Sequence, residues 1–267
     1  MEIIRFPEKL PVLPNCVLVP TMGALHEGHL SLIRQAAKMG TSVVSIFVNP
    51  TQFNDVADYE KYRRQEEADA NLAEEAGCDL LFTPSLETMY PFGTQATVAV
   101  HIPEITDKWE GEHRPGHFDG VATVVAKLFN MIRPNTTVFG AKDWQQCMVV
   151  RRMIADLGYR IEMVIGETIR EPDGLAMSSR NERLSAQARS LAPVLFQLLT
   201  AAGRAFKEGN PLADPAAELL NRGFQSVDYF AIVDANTLRP VQEYTGKERV
   251  IAAATIDGVR LIDNVPV

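Results

Sequence analysis

The stretch Cys16-Val-Leu-Val-Pro-Thr-Met-Gly-Ala-Leu-His-Glu-Gly-His29 decides the fold. Cys16–Pro20 is a short apolar run rich in β-branched residues, the pattern of a strand buried on both faces. Gly28–Met39 then shows helical spacing at Leu30, Ile33 and Ala37. A buried strand that turns through a glycine-containing loop into a helix is the opening of a parallel α/β unit. Ligands of an open parallel sheet sit at the carboxyl ends of its strands. The loop is therefore also the first place to look for chemistry.

The same alternation continues outward. Ser42–Val48, Asp79–Thr83, Thr136–Phe139 and Arg160–Ile165 read as strands. Asp58–Ala76, closed by Gly77 at C′, Phe118–Met131 and Asp143–Leu157, followed by Gly158, read as helices. This predicts a Rossmann-like parallel sheet covered on both faces. After about Glu171 the alternation stops. Ser185–Glu208 reads as one long helix N-capped by Ser185, and Asp214–Phe224 as another. Tyr229–Val233, Arg249–Ala254 and Arg260–Asp263 read as strands. The turn residues Glu171-Pro-Asp-Gly174 place a boundary near residue 172. The fold class expected is α/β: a Rossmann-like domain over residues 1–172 and a smaller α+β C-terminal domain over 173–267.

Composition narrows the function. Of 267 residues, 26 are Lys or Arg and 34 are Asp or Glu, a net charge of −8. That balance disfavours a nucleic-acid backbone as partner. It leaves room for a small anionic ligand in a local cationic pocket. The three cysteines, Cys16, Cys78 and Cys147, form no CxxC pair and read as buried thiols in a reducing compartment. Met1–Pro11 has charges and prolines but no apolar core segment, so no signal peptide is visible. The apolar stretch Leu191–Ala202 is too short to span a bilayer. A soluble, cytoplasmic protein is expected.

The loop after the first strand is neither a Walker A sequence nor a GxGxxG turn. What it holds is His26 and His29, spaced to share one face of a first helical turn, with Gly28 between them. An isolated pair of this spacing is ordinarily two surface histidines. The strand before it, the glycines and the sheet edge turn the reading toward phosphate. A helix N-terminus offers main-chain donors there, and two imidazoles add donors where transition-state charge develops.

His26-Glu-Gly-His29 resembles the His-x-Gly-His motif of the nucleotidylyltransferase superfamily. Four further segments sharpen this: Phe47-Val-Asn-Pro-Thr-Gln-Phe53, Arg114-Pro-Gly-His-Phe-Asp-Gly-Val121, Phe139-Gly-Ala-Lys-Asp-Trp-Gln-Gln146 and Asp173-Gly-Leu-Ala-Met-Ser-Ser-Arg-Asn181. With Pro20–His29 and the closing Arg260-Leu-Ile-Asp-Asn264, this ordered set resembles the pantoate–β-alanine ligase family. The sequence departs from the family at Tyr62-Arg-Arg64, where relatives usually have Tyr-Pro-Arg. It also departs at the short, proline-broken segment Met1–Asn15, where many relatives carry an amphipathic helix.

The resemblance implies ATP-dependent, AMP-forming condensation of (R)-pantoate with β-alanine through a pantoyl-adenylate. It implies His29, His26, Lys142 and Arg180 as the catalytic groups. Met22, Gly23, Ala24, Leu25, Glu27 and Gly28 would surround ATP beside the histidines. Gly140, Ala141, Lys142 and Asp143 would line adenosine and phosphates, Ile169 would meet adenine, and Met177, Ser178, Ser179 and Arg180 would form a phosphate loop. Gln52, Gln146 and Asn49 would hold the acid substrate. Mg²⁺ would bridge phosphate oxygens and water, since no carboxylate cluster is evident in the sequence. Asp69 reads as an ordinary surface-helix aspartate, with a water-mediated contact as the lesser reading. His117 and Arg114 read as helix-start packing. The resemblance also implies a homodimer, with residues 1–172 as the ATP- and pantoate-binding catalytic domain and 173–267 as a lid that keeps water from the mixed anhydride. Two other classes stand beside this reading: a nucleotidylyltransferase that keeps the nucleotide on its product, and a nucleotide sensor or RNA-binding relative without turnover.

Overall fold

The apolar runs pair into a parallel sheet. Its strands are β1 (Glu2–Ile4), β2 (Cys16–Thr21), β3 (Thr41–Ile46), β4 (Leu80–Phe82), β5 (Thr136–Gly140) and β6 (Glu162–Gly166), in the order β1-β4-β3-β2-β5-β6. Val19 stands opposite Val44 and Val17 opposite Thr136, so β2 lies between β3 and β5. From β2 the chain builds outward first on one side and later on the other. The crevice at this switch point is where an open α/β sheet binds ligands, and residues 22–29 leave β2 there. The computed structural model describes residues 1–210 and 212–267, apart from the side chain of Val56.

The sheet belongs to a unit made of Met1–Ala141 and Val149–Glu167. Its helices include α1 (Glu27–Met39), α2 (Val56–Glu60), α3 (Glu66–Glu75), α4 (Leu86–Met89), α5 (Glu110–His113) and α6 (His117–Ile132). α1 buries Leu30, Ile33 and Ala36 against Val17, Val19, Val44 and Val138 of the strands. The helix expected over Asp58–Ala76 is two, α2 and α3, interrupted at Lys61–Gln65. Arg64 explains the break: its guanidinium donates to the carbonyls of Tyr62 and Tyr59, each at 3.2 Å, and lies over the Tyr59 ring. Phe53 packs edge-on against Tyr59 and Tyr62. The interruption thus forms with Arg63 where the family usually has proline. Gly77 follows α3 with φ +95°, as expected of a C′ glycine. β1 was not expected; the short segment Glu2–Ile4 adds to the edge beside β4.

The second unit comprises Lys142–Met148 and Thr168–Val267. It contains the first turns of α7 (Trp144–Asp156), then α8 (Ala186–Leu191), α9 (Val194–Lys207) and α10 (Pro215–Asn221). The antiparallel strands β7 (Ser226–Asp234), β8 (Glu248–Ile256) and β9 (Val259–Pro266) follow. Leu195, Leu199 and Ala202 of α9 pack on Val250, Ala252 and Ala254 of β8. The single helix expected over Ser185–Glu208 is divided at Ala192–Pro193. Pro193 has no N–H to continue the α8 ladder and starts α9 instead. Ser185 caps α8 as expected, accepting from Ala188 N. The boundary read near residue 172 took no account of Lys142–Met148. That segment is tied into the second unit by Trp144 Nε1, which donates to Ala235 O at 2.7 Å.

Among the described residues, no helix is long and apolar enough to cross a membrane. Cys16, Cys78 and Cys147 are buried free thiols. Burial pushes the thiols of Cys16 and Cys78 up to about 11. At pH 8 both therefore lack the reactive thiolate. An aromatic disulfide reagent at pH 8 is expected to leave both untouched in the native protein and to modify both once guanidinium unfolds it. Rapid native labelling of either contradicts this burial.

Candidate active site

The loop leaving β2 is shaped by a carboxylate. Gly23 has φ +81° and Ala24 φ +51°, two successive left-handed residues. This turns the N–H groups of Ala24 and Leu25 onto Asp69, whose Oδ2 and Oδ1 accept at 2.9 and 2.8 Å. Successive N–H groups in such a turn form a small anion-binding concavity, here filled by the chain's own side chain. Asp69 is 2% exposed. The surface-helix reading is therefore corrected: Asp69 sits on the face of α3 with Ala70 and Ala73, turned into the protein. Gly23 is required by space as well as conformation, since a Cβ there would lie 2.9 Å from Asp69 Oδ2.

The loop delivers His26 to the N-cap of α1 and His29 to its third position. The two form a reciprocal cap. His26 Nδ1 accepts from Gly28 N at 3.2 Å, and His29 Nδ1 accepts from His26 N at 3.4 Å. The rings stand 4.1 Å apart, tilted by 47°. Because each Nδ1 accepts, each ring carries its proton on Nε2. The helix start thus converts main-chain donors into a pair of imidazole Nε2–H donors. Glu27 instead forms an exposed ion pair with Arg34.

A second cluster lies at the end of β3. Asn49 is fully buried, and both hydrogens of its amide are engaged, by Gln52 Oε1 at 3.0 Å and Gly120 O at 3.1 Å. Its Oδ1 accepts from Tyr90 OH at 2.8 Å and from Thr51 Oγ1 at 3.0 Å. Asn49 is thus saturated within the protein and acts as a support for Gln52. The bond to Gln52 Oε1 orients that amide, so Nε2 is the donor end that Gln52 presents. The Gln52 main chain is held as well: its carbonyl accepts from His117 Nδ1 at 2.9 Å and Arg114 Nη2 at 3.2 Å. His117 and Arg114 therefore do more than start α6. Gly120 allows the approach, since a Cβ there would lie 2.5 Å from Thr51 O. Sequence reading missed Tyr90 and Gly120 in this cluster, although Gly120 lies in the quoted Arg114–Val121 segment.

The second unit gathers the expected phosphate groups. Lys142, Ser178 and Arg180 line one narrow void with Asn181, Arg260 and Asp263. Its volume is about 10 Å³, room for roughly one water centre. Ser178 accepts from Arg180 N and starts a short 3₁₀ turn, Ser179–Arg183. Ile169 O accepts from Met177 N at 3.0 Å, which closes the turn between them. Lys142 Nζ stands 3.6 Å from Asp143 Oδ1.

The expected residues thus fall into separate groups. His26, His29, the 22–25 loop, Asn49 and Gln52 belong to the first unit, as do Gly140 and Ala141. Lys142, Asp143, Gln146, Ile169 and the 177–180 loop belong to the second. Met22 also lines a cavity of about 390 Å³ within the first unit, with Ile46, Phe47, Arg63 and Asp69.

Comparison with known proteins gives a consistent result. The family model described as Pantoate-beta-alanine ligase matches residues 12–266. The pantothenate synthetase of Cereibacter sphaeroides is 52% identical over 255 residues, 94% of this chain and 91% of that protein. That of Xanthomonas euvesicatoria is 46% identical over 251 residues, 92% and 90% of the two chains. The crystal structure of pantothenate synthetase from Thermus thermophilus superposes with a TM-score of 0.92 at 42% identity, covering 100% of this chain and 99% of that one. Pantoate-beta-alanine ligase from Francisella tularensis, complexed with Beta-gamma ATP and β-alanine, gives a TM-score of 0.84 at 33% identity, covering 100% and 97%.

Proposed function

The chain belongs to the pantoate–β-alanine ligase family, and from that premise we propose that it joins (R)-pantoate to β-alanine with consumption of ATP. A pantoate carboxylate oxygen attacks the α-phosphorus of ATP, the bond to the bridging oxygen breaks, and pyrophosphate leaves. The amine of β-alanine then attacks the acyl carbon of the pantoyl-adenylate and loses a proton. The C–O bond to the phosphate breaks and AMP leaves with pantothenate.

The observation that carries this reading is the reciprocal histidine cap at the switch point of the sheet. Two anions must meet in the first step, and charge builds on the α-phosphate oxygens as they do. Donors fixed in advance stabilise that charge without reorganising. We assign His29 Nε2 and His26 Nε2 to the α-phosphate, as stabilisers of charge rather than as donors of a transferred proton. Lys142, Ser178 and Arg180 are assigned to the remaining phosphates, and Arg180 suits them by its forked geometry. Gln52 Nε2 and Gln146 are assigned to pantoate. Asn49, Tyr90, His117 and Arg114 position Gln52. Asp143 is assigned to the ribose and Ile169 to adenine.

Mg²⁺ enters this reading as the ion that travels with ATP. Among the described residues no group of three or more His, Cys, Asp or Glu side chains is gathered to hold a metal. The second step asks for positioning of the amine and exclusion of water from the mixed anhydride. The same reading takes the working ligase as a cytoplasmic homodimer, which sedimentation of the purified chain checks.

AMP formation is expected only when ATP, pantoate and β-alanine are all present, with pyrophosphate exchange into ATP requiring pantoate alone. Pyrophosphate release without AMP, with the nucleotide kept on the product, would instead identify a nucleotidylyltransferase. ATP binding without turnover would identify a sensor.

A further inference from the structure

The closing segment Arg260–Asn264 takes no part in the reaction as assigned above, yet it ends on the main chain of Lys142. Asn264, in β9, is 4% exposed. Its Nδ2 donates to Lys142 O at 2.8 Å. The amide has one way round to make this bond, because its Oδ1 accepts from Arg249 Nη1. Arg249 is itself confined: its guanidinium carbon stands 3.7 Å from the ring centre of Trp144, two residues beyond Lys142. The next residue back, Asp263, is 5% exposed and grips Arg170 through both oxygens, at 2.6 and 2.9 Å. It also accepts from Asn264 N at 2.7 Å. Arg249 thus fixes the side-chain amide of Asn264, and Asp263 holds its main-chain N–H.

Resting on the assignment of Lys142 to the phosphates of ATP, we propose that Asn264 is a positioning residue that sets the main-chain orientation from which the Lys142 side chain reaches them. Lysine carries its charge on a flexible four-carbon stem, so a small rotation of its backbone moves Nζ far. Misplacement of a reacting group by about 1 Å costs about 100-fold in rate. Lys142 lies in a short 3₁₀ turn, Ala141–Asp143, between β5 and α7. Asn264 supplies from β9 a bond that reaches this turn across 122 residues of sequence.

The test is a double-mutant cycle in pantoate-dependent pyrophosphate exchange, with wild type, Asn264→Ala, Lys142→Ala and the double variant. Asn264→Ala is expected to raise KM for ATP and to lower kcat/KM about 100-fold. In the Lys142→Ala background the same change is expected to cost less than about threefold, because nothing remains to be positioned. Equal losses in both backgrounds overturn the proposal, since a residue acting on stability alone is indifferent to Lys142. Wild-type kcat/KM in Asn264→Ala overturns it as well. If Lys142→Ala itself keeps wild-type exchange, the assignment of Lys142 fails and takes the proposal with it. Asn264→Asp provides a second variant of nearly the same shape. It keeps the acceptor for Arg249 and turns an oxygen toward Lys142 O, so it is expected to show the same dependence on Lys142.

Discussion

His29→Ala is expected to slow pantoate-dependent exchange of pyrophosphate into ATP by about 100- to 1,000-fold, the usual loss for one fixed donor at a developing anion. His29 has two jobs that separate by magnitude. Its Nδ1 accepts from His26 N and completes the cap of α1. Losing a cap costs about 1 kcal/mol, a melting shift of about 2–4 °C for a chain of this size. Its Nε2–H is the group assigned to the α-phosphate, and its loss should appear in the chemical step alone. His29→Gln restores an N–H donor on a chain of different reach and should recover part of the rate. Exchange within about threefold of wild type in His29→Ala, against the losses expected here, would sink the role given to this histidine. The reaction of a preformed pantoyl-adenylate with β-alanine should be far less affected, since its amine needs no donor at the phosphate to attack.

The parts of the fold that were legible are those written in local patterns. β2, β3 and β5 are buried on both faces and carry short apolar stretches at their centres, Val17–Val19, Val43–Val44 and Val138–Phe139, and α1 shows its buried stripe at Leu30 and Ile33. The helix breaks were harder for two different reasons. Pro193 is a visible breaker inside an otherwise apolar helical pattern, and the pattern outweighed it. The break at Lys61–Gln65 has no such mark, because Arg64 makes it by donating to the carbonyls of Tyr59 in α2 and of Tyr62 just beyond it. β1 is too short for any periodicity to show.

The site divides in the same way. His26, His29, Gln52 and Lys142 stand in local motifs at strand ends, where a motif can be read. Beyond the local bonds of His26 with His29 and of Asn49 with Gln52, the residues that shape these segments lie far away in sequence. Gly120 meets Asn49 from 71 residues on, and Tyr90 from 41. Asp69 follows Glu66 and Glu67 in one acidic first turn. Nothing in the charge pattern separates the buried carboxylate from its exposed neighbours. The helical phase does hold a signal: Asp69 and Ala73 share a face with Ala70, and all three are buried.

That separation makes Asp69 the sharper test of how the site is built. Asp69→Ala removes the acceptor of two main-chain N–H groups, Ala24 N and Leu25 N, in a place with little access to water. Each buried donor left unpaired costs about 1–3 kcal/mol, so a loss of about 2–6 kcal/mol in stability is expected. Activity should fall further than stability explains. The carboxylate holds Gly23 and Ala24 in successive left-handed conformations, a shape that alanine adopts only at a cost of about 1–2 kcal/mol. Released from Asp69, residues 22–25 would relax and carry the cap position of His26 with them. Exchange of pyrophosphate is then expected to drop about 100-fold at temperatures where the variant is still folded. Asp69→Asn should do nearly as much harm, because its amide offers one acceptor and sets an N–H against the other donor. Gly23→Ala attacks the same contact from the opposite side, through a Cβ placed 2.9 Å from Asp69 Oδ2. If Asp69→Asn and Gly23→Ala both keep wild-type exchange and an unchanged melting point, the carboxylate does not shape the loop. Loss of exchange in all three variants, with circular dichroism unchanged at the assay temperature, would place the origin of the histidine geometry in an acid on another helix.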